Sequence, residues 1–346
     1  MEGSTLSHNG SGQSLDTLIR YLLVLCIVVG LPGNISALVY FWSNECKSIA
    51  DKLYIIVISV DIGTCFLALP VIISLFNNRN AILFAQPIVC GCFTIAALFV
   101  LRMSMFLVAV MSVSRCIAII LPHRSKVVCT MNKISVMIVT YALFLSTVDG
   151  VYFAMGWMKG TYHGTSRSYC YYEVTKKSPA WVVTFFRIVF QIEIIVPSIV
   201  VFISFVTGIV SLMKNVSTIK SSEKTKSTST DEEKGSKEAS RASIRSTGDG
   251  RKIFREVSIT TTLFTAVFLA CNIPLFTYQV LYLLSNYIPS MERMAASSEF
   301  HQKYAHLLCL VIHVINAALN PCVYLMRMPR YKAEFITWGI GLRQRM

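Results

Sequence analysis

Asn316-Ala317-Ala318-Leu319-Asn320-Pro321-Cys322-Val323-Tyr324 closes the last of seven apolar segments, and its reading decides the fold. Two amides and a proline stand where a membrane helix should be apolar. A proline inside a helix removes one N–H and frees a carbonyl one turn back, which a neighbouring group must satisfy. Polar side chains at membrane depth are costly unless paired or hydrated, so they mark functional positions.

Working outward, hydrophobic residues make up 54% of the 346-residue chain and charged residues 14%. Soluble domains have roughly 45–50% and 25%. The apolar runs are Tyr21 to Asn44, Leu53 to Asn78 with only Asp61, Asn80 to Ser114 with only Arg102, and Ile134 to Met158 with only Asp149. Ser178 to Met213 carries Arg187 and Glu193, while Val257 to Met291 and Ala305 to Met326 contain no Asp, Glu, Lys or Arg. Each is long enough to span a bilayer, which takes about 20 residues. The fold class is an all-α membrane protein, a seven-transmembrane helix bundle. The first run is too long for a cleaved signal peptide and lacks a small-residue cleavage site upstream.

The formal charge of +14 would suggest nucleic acid in a soluble protein. Here Lys47, Lys52, Arg124, Lys126, Lys133, the loop after Met213, Arg327, Arg330, Lys332, Arg343 and Arg345 fall on one side. The positive-inside rule makes that side cytoplasmic and the N-terminus extracellular. The positive charge then faces anionic membrane lipids, and no nucleic-acid partner is expected. Asn9-Gly10-Ser11 is a glycosylation sequon on the outer side, whereas Asn34-Ile35-Ser36 lies within a span and Asn215-Val216-Ser217 on the inner side.

The sequence divides into a disordered extracellular N-terminus over 1–17, a seven-span bundle over 18–326, and a tail over 327–346. Residues 214–256 are rich in Lys, Glu, Ser, Thr and Gly, cannot bury a core, and read as a flexible cytoplasmic loop. Its Arg241-Ala242-Ser243 and Arg245-Ser246-Thr247 fit either phosphorylation or a plain solvated linker. Pro329 to Trp338 places Tyr331, Phe335, Ile336 and Trp338 among charges at helical spacing, a short amphipathic eighth helix on the inner membrane face.

N-x-x-x-N-P-x-x-Y at the end of a seventh span resembles the rhodopsin-like (class A) G-protein-coupled receptors. Asn34 in span one, Asp61 in span two, Ser104 in span three, and Asn316 and Asn320 in span seven have that family's residue types and spacings. The resemblance implies that they converge on a small water-filled pocket holding a sodium ion, with Asp61 and Ser104 as ligands. A hydrogen-bonded polar core without an ion is the alternative. No other cofactor is expected. A lone carboxylate in a span costs about 2.5–3.5 kcal/mol on insertion scales, so Asp61 is the hub on either reading.

Ser114-Arg115-Cys116, with Pro122 seven residues after Arg115, resembles the family's acidic-Arg-Tyr motif with both neighbours replaced. An arginine there also serves as a snorkelling anchor, but the 25-residue distance from Cys90 favours the motif. The usual acid in span six falls on Phe254. Glu256, two residues on, turns about 200° away. Both customary tethers of the arginine are thus missing, and raised basal signalling is expected. Phe268-Leu269-Ala270-Cys271-Asn272-Ile273-Pro274 resembles the span-six switch, with Asn272 in place of tryptophan and expected to bond into the Asp61 network. Pro274 provides the kink, while Pro321 and Tyr324 belong to the span-seven motif. The resemblance also implies a disulfide between Cys90 and Cys170, with Cys92 as the competitor.

Ligand clues are thinner. Span seven lacks the lysine that retinal needs, and Ala97 stands where monoamine receptors carry an acid. Pocket candidates are Ala97, Arg102, Glu193, Tyr278 and His313. Arg102 and Glu193 point at each other across spans three and five, as an ion pair or as ligand contacts. The resemblance implies a plasma-membrane receptor passing a signal from an extracellular ligand (peptide or small molecule) to a heterotrimeric G protein, by outward movement of span six. A transporter or channel-type seven-helix protein is the rival, although no internal repeat is visible. Within receptors, a ligand-independent or scavenging role is the other alternative. No enzyme signature is present.

Overall fold

The computed structural model describes residues 9–43, 49–76, 87–159, 162–164, 170–172, 180–226, 259, 262–274, 276–277, 280, 299–327, 331–333 and 336. Its elements are α1 (Asn9–Ser43), α2 (Ile49–Phe76), α3 (Pro87–Ile120), α4 (Pro122–Val128), α5 (Met131–Lys159), β1 (Tyr162–Gly164), β2 (Cys170–Tyr172), α6 (Ala180–Lys226), α7 (Thr262–Pro274) and α8 (Glu299–Arg327). Spans one to seven are α1, α2, α3, α5, α6, α7 and α8. Among the described residues, five helices are long and apolar enough to cross a membrane, and α7 and the C-terminal part of α8 add shorter apolar stretches.

Burial differs from that of a soluble protein, because an apolar core coexists with an apolar exterior and a buried polar set. Large apolar side chains face outward, among them Trp42, Val136 and Phe202. Asn34, Asp61, Arg102, Asp149, Glu193, Asn272, His313, Asn316 and Asn320 are all buried. In water such a surface would aggregate. Against lipid it is the stable arrangement, with polar groups meeting inside.

Helix α3 is central and packs against α2, α5, α6 and α8, with the antiparallel β1–β2 pair (Tyr162 opposite Tyr172, Gly164 opposite Cys170) lying against it. It stops where Pro122 begins α4, a first-turn position that needs no N–H donor. Helix α1 packs closely on α8. A Cβ added at Gly30 would lie 2.9 Å from Ala318 Cα, and one added at Gly33 would lie 2.7 Å from Pro321 Cβ. Small residues let the two backbones approach, as membrane helices require.

Two boundaries differ from the reading of the sequence. Helix α1 starts at Asn9, within the segment 1–17 expected to be unordered. Helix α6 runs to Lys226, thirteen residues into the segment 214–256 expected to be a flexible loop. Adding a turn to an existing helix costs far less than nucleating one, so a long apolar span carries helix into polar flanks.

Candidate functional site

Pro321 supplies no N–H to the carbonyl of Ala317, four residues back. The Nδ2 of Asn34 fills that vacancy, donating to Ala317 O at 2.9 Å and to Gly30 O in its own helix at 2.9 Å. One amide thereby ties α1 to the proline break in α8. One turn deeper in α8, Asn320 Nδ2 donates to the Asp61 carboxylate at 2.6 Å, tying α8 to α2. Both contacts are fully buried, where a missing partner costs about 1–3 kcal/mol. The Oδ1 atoms of Asn34 and Asn316 are buried with no hydrogen-bond partner among the described residues. Ser104 is buried on α3 and makes no direct hydrogen bond to Asp61.

Asn272 corrects the sequence reading. Instead of joining Asp61, its Nδ2 donates to Phe268 O at 2.8 Å, one turn back in α7, and its Oδ1 has no partner among the described residues. Short polar side chains compete for carbonyls of their own helix, and here the local bond wins.

A second polar centre joins three other helices. Arg102 Nη1 donates to Glu193 Oε2 at 2.5 Å, Nη2 bonds to Asp149 Oδ1, and Nε donates to Leu98 O at 3.0 Å. The guanidinium also stands over Phe190, 4.9 Å from the ring centroid. One arginine thus links α3, α5 and α6 with three separate donors, a fork that lysine cannot reproduce. Its side chain is 1% exposed.

Near the C-terminal end of α8, Tyr324 is buried in an aromatic cluster with Phe41, Tyr54, Phe264 and Tyr331. Tyr331 is buried too, its hydroxyl 2.8 Å from Ser36 Oγ and 3.3 Å from Gly33 O, which seats the segment after α8 on α1. Burial pushes its phenol above the ordinary value, so it remains an O–H donor. Lys332 and Ala333 beside it are exposed and Ile336 is exposed, in keeping with one buried and one open face. Phe268 is buried in the core with Phe264.

A cleft opens between α3, α6 and α7, lined by Ser112, Arg115, Cys116, Phe205, Thr262 and Thr265 among others. Arg115 makes no ion pair among the described residues. The Ser114 hydroxyl donates to Met111 O at 2.8 Å in its own helix. Across the cleft wall, Ser112 Oγ and Thr265 Oγ1 lie 3.3 Å apart, a weak neutral link between α3 and α7.

The sequence model of the 7 transmembrane receptors of the rhodopsin family matches residues 33–324 of this chain. The chain belongs to that family. The match runs from the glycine that contacts Pro321 to the tyrosine that closes the aromatic cluster. Comparison with curated proteins returns no match.

The remaining positions of this receptor are dispersed. Ala97 is half-buried on α3, and His313 is buried on α8 with its Nε2 unpartnered among the described residues. Tyr278, Phe254 and Glu256 lie outside the described residues, as do the side chains of Asn9, Cys90 and Cys170. Cys92 is free and exposed, and β2, which starts at Cys170, packs against α3. Asp149 is the site residue that sequence reasoning leaves without a role. The available signal is that spans three, four and five each carry charge, which in a bilayer calls for mutual partners.

Proposed function

We propose that this receptor couples an extracellular ligand to a heterotrimeric G protein at the plasma membrane, with its N-terminus outside, by outward movement of α7. The observation that carries this reading is Arg115, half-buried in the cleft between α3, α6 and α7 and without an ion-pair partner among the described residues. A ligand between the outer halves shifts the population towards the open form only if it binds that form more tightly. Pro274 at the end of the described part of α7, with the freed carbonyl it implies, is the hinge. The ligand is a peptide or small molecule other than retinal, and Ala97 argues against a monoamine. Cys90 and Cys170 form the outer disulfide.

The test is nucleotide exchange on a panel of purified G proteins by the receptor in lipid nanodiscs, with and without Arg115→Ala. Exchange on at least one G protein, lost on Arg115→Ala, is the expected result. Exchange equal in both forms, or none on any G protein with any ligand, would remove the proposal.

Because no acid among the described residues pairs with Arg115, basal exchange is expected to be high. Ser114→Asp restores a neighbouring carboxylate and should lower ligand-free exchange several-fold. An unchanged rate in that variant would show that Arg115 is restrained in another way.

We infer a sodium site at Asp61 from the chemistry of the residues the family motif assigns to it. The Asp61 carboxylate is held by Asn320, the buried Oδ1 atoms of Asn34 and Asn316 have no partner among the described residues, and Ser104 adds a buried hydroxyl, all oxygen donors of the kind sodium takes. The bound ion would supply positive charge beside Asp61 and favour the resting packing of α2, α3 and α8. Asp61→Ala is expected to abolish the sodium dependence of basal exchange. A sodium response unchanged in that variant would rule out the ion site.

A further inference from the structure

We propose that the Arg102–Asp149–Glu193 cluster is a proton-binding site, which holds one proton between its two carboxylates when the receptor is at rest. The inference starts from a charge count. One guanidinium faces two carboxylates, so the cluster carries a net charge of −1 if both acids are ionised. Its side chains are 1%, 2% and 5% exposed, enclosed between three membrane-spanning helices. Isolated charge in such surroundings is expensive, and a buried group takes up a proton rather than remain unpaired.

The hydrogen bonds agree with the count. Arg102 donates to one oxygen of each acid and sends its third donor to Leu98 O. The other oxygens, Asp149 Oδ2 and Glu193 Oε1, are buried with no partner among the described residues. One buried, unpartnered acceptor on each acid, with a surplus negative charge, is what one missing proton leaves behind. Phe190 closes the guanidinium face, with Tyr152 and Phe186 packed on Phe190. A proton needs no space.

The groups around the cluster are few. On α5, Tyr141 lies within electrostatic reach of Arg102, Asp149 and Glu193, its hydroxyl buried and unpartnered among the described residues, and its ring stacked on Phe106 of α3. On α2, Asp61 is engaged by Asn320, and on α8, His313 makes no bond to the cluster. The side chain of Arg187 on α6 lies outside the described residues. No further charged side chain among the described residues pairs with the three.

The proton comes from solvent and adds to one carboxylate oxygen. It makes the cluster neutral, and its loss leaves net repulsion between α5 and α6 across Arg102. Since the native receptor then binds one proton more than the unfolded chain, stability falls as pH rises through the deprotonation of the cluster.

Infrared spectroscopy of the full-length receptor in nanodiscs at neutral pH reads this without recourse to signalling, because the C=O stretch of a protonated carboxyl is separate from carboxylate bands. The wild type should show such a band, and either Asp149→Asn or Glu193→Gln should remove it. The same variant should lose the decline of thermal midpoint with rising pH. The proposal is overturned if both variants fold and keep every protonated-carboxyl band of the wild type. Should neither variant fold, Asp61→Asn decides. A protonated-carboxyl band surviving in Asp61→Asn supports the cluster as its source, and its disappearance there assigns the proton to Asp61 and overturns the proposal.

Discussion

Arg102→Leu is expected to abolish cell-surface expression of the receptor. The substitution strips Asp149 and Glu193 of the cation they bond and leaves both buried between α3, α5 and α6. Removing one partner of a buried pair costs about 3–5 kcal/mol, and here two acids lose the same partner. Most of a domain's net stability, about 5–15 kcal/mol, is at stake. Arg102→Lys should fail nearly as badly, because the three acceptors are met by three different guanidinium nitrogens, and an ammonium offers its donors from a single nitrogen. Replacing the whole cluster together (Arg102→Met, Asp149→Leu, Glu193→Met) should restore much of the expression, since an apolar trio needs no partners. Flow cytometry of a surface epitope, with size-exclusion chromatography of the extracted protein, separates these outcomes. Normal surface levels of Arg102→Leu would mean that the cluster contributes little to the fold.

Gly30→Val should be the next most damaging change. Even a bare Cβ at this position meets Ala318 Cα and Cβ at 2.9 Å, and one of these is backbone that cannot swing aside. Overpacking costs about 1–3 kcal/mol where side chains can yield, and more where they cannot. Separating α1 from α8 also pulls Asn34 off Ala317 O, so the carbonyl freed by Pro321 loses its donor. Thermal midpoints of the detergent-solubilised receptor should fall by several degrees for Gly30→Ala and further for Gly30→Val. Ala318→Gly should rescue only part of the loss, because it relieves the clash with the alanine methyl and leaves the clash with the α8 backbone. Wild-type stability of Gly30→Val would contradict the close approach of the two helices.

Much of this is legible in the sequence, for reasons that can be named. Pro321 announces a free carbonyl at Ala317, and a lone amide in another span is the natural donor. That the donor is Asn34 follows from chemistry as soon as α1 and α8 are neighbours. Asp61 and Asn320 likewise have few alternatives in an apolar bundle. What stays hidden depends on direction. Asn272 has a donor and an acceptor to place, and the sequence offers both a distant network and a carbonyl one turn away. The nearer one prevails for the donor. Asp149 looks like an isolated charge in span four, because apolar runs in which nearly every position is hydrophobic do not reveal which face turns inward. Tyr331 reads as one apolar residue of an amphipathic segment, yet its hydroxyl finds Ser36 inside.

These two polar centres divide the labour within the bundle. Asn34, Asp61 and Asn320 fasten α1, α2 and α8 around a broken helix, while Arg102, Asp149 and Glu193 fasten α3, α5 and α6. Helix α7 belongs to neither set. Among the described residues its polar side-chain link to α3 is the weak Ser112–Thr265 contact, with Phe264 and Phe268 supplying apolar packing. The outward movement proposed for α7 has to break this contact and open this packing.

The distance between spin labels at Ile120 on α3 and Ile259 before α7, introduced as non-canonical amino acids, tests this most directly. Measured in nanodiscs, it should show a second, longer population that grows when a nucleotide-free G protein is added. A single distance, unchanged by any G protein that the receptor activates, would contradict the account.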